Sequence, residues 1–180
     1  MVDYDFGDDI SFDSLISRYE AFIRPLEPQL TPVQWQLAWE VRSRLKEVRY
    51  LLNRIRVLHR AVNVDPIGGA SDVHGLSSME ELWLHCEALY HFAFRAYKIL
   101  EKMPFARQFK APGVRDVRNH LIEHPTGESS GVVDRTFLVD WQGPKVKGVR
   151  VQGTVGHLMD SGLYANVREF ITAIEKVLAR

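Results

Sequence analysis

The chain has 180 residues, and its 23 Lys and Arg residues balance its 23 Asp and Glu residues, so the formal net charge is zero. A neutral molecule lacks long-range attraction to nucleic acid as a whole, although a local basic patch remains compatible with this charge. The length suits a single domain, residues 1–180, that buries a hydrophobic core large enough to be stable without disulfides or structural metal ions. Cys86 is the one cysteine, which excludes an intrachain disulfide, and the composition calls for no cofactor.

Residues 1–10 are acidic and lack the apolar core of a secretion signal, and we expect them to be flexible. No apolar stretch of the sequence approaches the length of a transmembrane helix. The lone cysteine gives no indication of an oxidising compartment. These features predict a cytoplasmic protein that does not enter a membrane.

Hydrophobic residues spaced by three or four predict helices over most of the chain. The first helix begins at about Ser11 and ends before Pro25. A second, long helix begins after Thr31, whose hydroxyl pairs with Gln34 in a predicted capping box, and ends near Asn63.

A loop rich in glycine, residues 64–76, separates the second helix from a third. The third helix is predicted to start at a cap formed by Ser77 or Ser78 and to end near Met103. A short fourth helix is expected from Pro112 to Glu123, because the following proline disfavours helical geometry at residue 124.

After the fourth helix, the spacing of hydrophobic residues changes to every second position. Phe137, Val139 and Trp141 alternate there with other side chains. This pattern predicts a β-hairpin, which should pack on the helices because two strands alone are marginal in water. An amphipathic helix from about Leu163 completes the chain. The predicted fold is therefore mainly α, a bundle of about five helices with an inserted β-hairpin near 135–152.

The second helix has strongly basic outer faces. Its cations are Arg42, Arg44, Lys46, Arg49, Arg54, Arg56 and Arg60. Only Glu40 and Glu47 oppose them on the same helix. Most such charges form a solvated helix face, and the alternative is a positive surface that collects phosphates.

The fourth helix concentrates the residues that could carry chemistry. Within ten positions before Pro125 it places Arg115, Arg118, Asn119, His120, Glu123 and His124. The run Arg118-Asn119, four residues, then His124 resembles the signature of the HEPN superfamily of small helical-bundle proteins. The resemblance covers the helical parts, roughly residues 11–124 and 163–180, and the predicted hairpin departs from it.

Many HEPN proteins are metal-independent endoribonucleases, and others are inactive relatives that bind RNA or a protein partner. The resemblance implies that Arg118 and His124 act at the scissile phosphate and that Asn119 orients it, without a metal. The neighbouring side chains are further binding candidates, namely Arg115, His120 and Glu123. The residue types suit the chemistry, because histidine exchanges protons near neutral pH and arginine stabilises charge developing on phosphate oxygens.

Helix geometry adds a condition to this hypothesis. Six residues turn by about 600° around a helix, which leaves Arg118 and His124 about 120° apart and about 9 Å apart along the axis. On one regular helix the two side chains do not converge. They meet only if the last turn unwinds before Pro125 or if a second copy contributes, and the resemblance implies a homodimer.

Two other interpretations of the same residues remain open. His120 to His124 matches H-x-x-E-H, an inverted zinc-peptidase motif in which both histidines lie on one helix face and Glu123 acts as base. No third ligand is evident, and Pro125 ends the supporting helix. In the other interpretation Arg115, Arg118 and His120 form ion pairs with Asp116 or Glu123, and the chain is a non-catalytic helical module that binds a protein partner.

Overall fold

The computed structural model describes residues 7–64, 73–118, 137–142, 145–151 and 161–179. In these ranges the α-helices are α1 (Asp13–Ile23), α2 (Pro32–Val64), α3 (Val73–Leu100), α4 (Pro112–Arg118) and α5 (Ser161–Leu178). Short 3-10 helices occupy Arg24–Gln29 and Pro104–Ala106. The predicted mainly α fold, a bundle of about five helices, is confirmed for the described part of the chain.

Two strands follow α4 in the chain, β1 (Phe137–Gln142) and β2 (Lys145–Val151). They pair antiparallel, with Phe137 opposite Val151, and the register is irregular between Asp140 and Trp141. Together β1 and β2 form a two-stranded sheet.

The start of α2 is fixed by its capping box. The Thr31 backbone N–H donates to Gln34 Oε1 over 3.0 Å, and the Gln34 backbone N–H donates to Thr31 Oγ1 over 3.2 Å. Each side chain thereby satisfies a backbone donor that the first helical turn leaves open. The predicted start is confirmed, and the helix runs to Val64, about 50 Å at 1.5 Å per residue.

Helices α2 and α3 are antiparallel and supply the centre of the core. The ion pairs Arg54–Glu81 and Arg95–Glu40 join opposite ends of the two helices, which defines this direction. Buried side chains on the facing stripes are Val41, Leu45, Val48, Leu52 and Ile55 from α2 and Leu82, Cys86, Leu89, Ala93, Ala96 and Leu100 from α3. Spacings of three and four residues predicted both stripes.

The bounds of α3 differ from the expectation. It begins at Val73, so the predicted loop over 64–76 is wrong for its last four residues, and the predicted caps at 77–78 lie inside the helix. It also ends at Leu100 rather than near Met103. Gly75 lies in the first turn of α3, where its intrinsic cost of about 1 kcal/mol does not prevent helix formation.

The described end of the N-terminal segment is docked on the bundle. Arg56 of α2 donates hydrogen bonds to the carbonyls of Gly7 and Ile10, the latter over 2.8 Å. Arg168 of α5 donates to Asp9 over 2.9 Å, and Ile10 is buried. Residues 7–10, expected to be flexible, therefore make specific contacts, whereas residues 1–6 lie outside the described residues.

Candidate functional site

The short helix α4, which ends at the first residue of the Arg118–His124 motif, is held at its first turn by α5. The backbone N–H of Gly113 donates to Glu169 Oε2 over 2.8 Å. A Cβ atom at Gly113 would lie 2.2 Å from Asn166 Oδ1 and 2.9 Å from that glutamate oxygen. Asn166 is itself fixed, since its amide donates to Tyr90 Oη over 2.9 Å. A side chain at this position would have to displace Asn166 and Glu169, so glycine allows the close approach of α4 to α5.

The last described turn of α4 packs on α3 through Arg118. The guanidinium carbon of Arg118 lies 4.5 Å from the centroid of the Phe94 ring, and the side chain is half-buried. Two of its nitrogens, Nε and Nη1, are buried. Stacking on an aromatic face fixes the plane of a guanidinium while its N–H donors point outward in that plane. Arg118 is thus held in a defined orientation.

Arg115 lies one turn earlier on α4 and is exposed. Its Nε donates to Asp116 Oδ1 over 2.8 Å, and this hydrogen bond, then the charge of Asp116, raises the pKa of Arg115. Burial, with the charge of Glu101, raises the pKa of Tyr97, and Arg115 acts against that rise. Arg115 therefore lies beside the ring that follows Phe94 by one turn on α3.

The rings of Phe94, which contacts Arg118, and of Tyr97, which lies beside Arg115, are neighbours on α3. The two rings are stacked, with centroids 5.9 Å apart and planes 14° apart. Just after the end of α3, the pKa of Glu101 is lowered, mainly because Lys98 donates a hydrogen bond to its carboxylate over 2.6 Å. We call the two rings with Arg115 and Arg118 the arginine–aromatic face.

The structure brings together two of the six predicted site residues, Arg115 and Arg118. The other four, Asn119, His120, Glu123 and His124, lie outside the described residues. The separation of Arg118 from His124 and the arrangement of the H-x-x-E-H run therefore stay predictions. The ion pair between Arg115 and Asp116 is the contact expected from the structural interpretation. Phe94 is the site residue that sequence reasoning missed.

The basic faces of α2 are engaged within the molecule. Arg42 pairs with Glu20, Arg49 with Asp13, and Arg60 with Asp8. Nη1 of Arg44 lies 2.7 Å from Glu47, while its Nε is 3.6 Å from Glu40, too far for a hydrogen bond. These arginines connect α2 to its neighbours, so the pattern does not favour the phosphate-collecting surface.

Three histidines outside the motif have structural surroundings. His59 is buried, with Nδ1 3.1 Å from Tyr164 Oη, and the two rings are stacked. His85 Nδ1 lies 2.7 Å from the Glu81 carbonyl oxygen. His91 is exposed and contacts Phe92. No group of three or more His, Cys, Asp or Glu side chains in the described ranges could hold a metal ion.

Cys86 sits in the core stripe of α3. It is fully buried, and burial raises the pKa of its thiol. A thiolate is the reactive form of cysteine, so burial suppresses nucleophilic reactivity.

Comparison of the chain with models of protein families, with curated proteins and with solved structures gave no match. Among the residues that the structure describes, no helix combines the length and apolar character that spanning a bilayer requires. The functional assignment consequently depends on the residues of the site themselves.

Proposed function

We propose that this chain is a HEPN-like, metal-independent endoribonuclease that binds and cleaves RNA as a homodimer. The observation that carries the proposal is the Arg118 guanidinium stacked 4.5 Å from Phe94, directly before the rest of the motif. Arginine is the residue best suited to phosphate, and a guanidinium whose orientation is already fixed loses little entropy on binding it. The helical-bundle architecture also supports the proposal.

In the proposed reaction, His124 accepts the proton of a ribose 2′-hydroxyl as that oxygen attacks the adjacent phosphate. The bond from phosphorus to the 5′-oxygen breaks, and His124, now protonated, gives the proton to this oxygen. The products are a cyclic phosphate and a free 5′-hydroxyl. Arg118 stabilises the charge that develops on the phosphate oxygens, while Asn119 orients the phosphate.

A homodimer is part of the proposal because of helix geometry. Arg118 and His124 would point about 120° apart on one regular helix. A two-fold axis beside the motif would bring Arg118 of one protomer toward His124 of the other.

A second candidate function is a catalytically silent interaction module with the same fold. It is favoured by the pairing of the α2 arginines with carboxylates of the same chain, which withdraws those cations from RNA. Zero net charge points in the same direction. This candidate differs from the first in predicting no RNA cleavage by the wild-type protein.

The experiment is cleavage of a fluorescent single-stranded RNA in the presence of EDTA. We expect the wild type to cleave, and Arg118→Ala and His124→Ala to lose about 100-fold or more of the rate. Arg24→Ala, which removes an exposed arginine outside the motif, is the matched control and should retain activity. Circular dichroism and light scattering would verify that fold and dimer persist. Full cleavage by both motif variants would reject the nuclease, and no cleavage by the wild type would favour the interaction module.

A further inference from the structure

A cavity of about 340 Å³ opens between the segment after α3 and the C-terminal half of α5. Its volume is at the small end of the range of roughly 300–1,000 Å³ that small-molecule pockets occupy. Polar side chains from both elements line it, and three apolar side chains accompany them: Phe109, Ala173 and Val177. A pocket of this size suits a small molecule rather than a peptide.

The apolar part of the cavity is packed against the core of the bundle. Phe109 is 5% exposed, and its ring contacts Phe170 at a centroid distance of 6.1 Å and Tyr97 at 5.6 Å. Ala173 and Val177 are buried on successive turns of α5. These side chains form a preformed apolar surface on which a ring or short aliphatic body can pack.

Two lysines give the cavity its positive character. Lys110 and Lys176 both line it and are exposed, and neither makes an ion pair within the ranges that the structure describes. Most arginines of α2, by contrast, are neutralised by carboxylates. Glu169 is the opposing charge, and its Oε2 already accepts the Gly113 N–H. Thr172 adds a hydroxyl donor to the same wall.

We propose that this cavity binds a small organic anion, with an apolar body on Phe109 and Val177 and a phosphate or carboxylate group held by Lys110 and Lys176. Ammonium groups bind either anion as point charges, so both head groups share the chemistry. The site uses none of the motif residues and needs no dimer. Whether this cavity binds an anion is therefore independent of whether the protein is a nuclease.

The cavity is joined to the motif-bearing helix through Glu169. This side chain lines the cavity and accepts the N–H of Gly113 at the start of α4. A ligand that binds the folded chain alone stabilises it by RT ln(1 + L/Kd), where L is the free ligand concentration, so the melting temperature rises with the logarithm of ligand concentration above Kd. Thermal stability thus reports on binding here without any assay of RNA cleavage.

The test is a titration of the full chain with phenyl phosphate and, separately, with phenylacetate, followed by calorimetry and melting temperature. Benzyl alcohol keeps the ring without the charge, and inorganic phosphate keeps the charge without the ring. The variants are Lys110→Ala/Lys176→Ala and the single change Lys176→Gln. Lys102→Ala, an exposed lysine outside the cavity, is the matched control.

We expect saturable one-to-one binding of phenyl phosphate, phenylacetate or both. The ligand with the lower dissociation constant identifies the preferred head group. Dissociation constants should rise about tenfold or more in the double variant and less in Lys176→Gln, and stay unchanged in Lys102→Ala. Benzyl alcohol and inorganic phosphate should bind more weakly than the aromatic anion. The proposal is overturned if neither aromatic anion saturates, or if the double variant binds as tightly as the control.

Discussion

The guanidinium of Arg118 and the ring of Phe94, which come from α4 and α3, lie 4.5 Å apart and hold the start of the HEPN-like motif against the bundle. One turn further along α3, the ring of Tyr97 stacks on the ring of Phe94 and lies beside Arg115. The arrangement has consequences that can be measured independently of any activity.

A double-mutant cycle measures the contact between Phe94 and Arg118. Phe94→Leu and Arg118→Met should each destabilise the fold, and the pair should lose less than the sum, with a coupling of about 0.5–2 kcal/mol. Urea denaturation gives the free energies of unfolding. Phe92→Leu removes a ring that contacts Arg44 instead, so its combination with Arg118→Met should be additive. Additivity in both cycles would show that the stacked contact contributes no energy.

Gly113→Ala tests the close approach of α4 to α5. The new methyl group would meet Asn166 Oδ1 and Glu169 Oε2, and moving these side chains breaks their hydrogen bonds to Tyr90 and to the Gly113 N–H. We expect a loss of about 1–3 kcal/mol in the free energy of unfolding. In an Asn166→Ala background the nearest obstacle is gone, so the same change should cost less. Equal costs in both backgrounds would contradict the predicted clash.

Comparing two arginines of α2 separates structural from surface charge. Arg56 is half-buried and donates to the carbonyls of Gly7 and Ile10, whereas the pair of Arg54 with Glu81 is exposed. Arg56→Met should cost about 1–3 kcal/mol because it leaves carbonyls unsatisfied. Arg54→Met should cost at most about 1 kcal/mol, the usual limit for surface pairs. Thermal or urea unfolding measures both, and similar losses would refute this distinction.

The core thiol gives a chemical test of the fold. Because Cys86 is buried and its thiol pKa is raised, Ellman's reagent at pH 8 should leave the folded protein unmodified over a time in which denatured protein reacts completely. Addition of guanidinium chloride should release one thiol per chain. Rapid modification of the native protein would show that the core stripe of α3 is open to solvent.

Stability should fall with rising pH above about 9. Burial raises the pKa of Tyr19 above its ordinary value of 10.0 and that of Cys86 above 9.0. Below these ordinary values both groups keep their protons in either state and their full contribution to stability is present. Above them the unfolded chain releases protons that the folded chain retains, and stability falls by up to about 1.4 kcal/mol per pH unit for each group.

The variant Tyr19→Phe isolates the contribution of Tyr19 to the loss of folding stability at alkaline pH. The variant removes the hydroxyl that donates to the Ala38 carbonyl over 3.1 Å, so it should be less stable at pH 8. Its stability should nevertheless decline less steeply than that of the wild type between pH 9 and 11, as measured by urea unfolding. Parallel pH curves for the two proteins would be incompatible with a buried Tyr19 hydroxyl.

Features encoded by local sequence were predictable, and features created by distant contacts were not. The reciprocal bonds of Thr31 and Gln34 need only residues three apart, so the sequence predicted the start of α2. The contact of Phe94 with Arg118 joins two helices, and no spacing rule indicates which ring of α3 faces α4. The start of α3 at Val73 was likewise not indicated by local signals, because Gly75 favours a loop at this point.

The partners of charged side chains were also not predictable from local sequence. A stripe of arginines on α2 looks unopposed when only its own helix is considered, yet Glu20, Asp13 and Asp8 reach it from other parts of the chain. Lys110 and Lys176 are far apart in sequence, and only folding places them on one cavity. For the motif itself, the sequence identified Arg115 and Arg118 as neighbours on one helix, which the structure describes.

The most direct test of the proposed nuclease is complementation between two inactive variants. If each active centre combines Arg118 of one protomer with His124 of the other, unfolding and refolding a mixture of Arg118→Ala and His124→Ala chains creates heterodimers with one intact centre. We predict that the mixture regains RNA cleavage in EDTA, up to about a quarter of the wild-type rate, since half the dimers are mixed and each has one of two centres. A mixture as inactive as its components, with mixed dimers shown by mass spectrometry, would contradict a centre shared across the dimer.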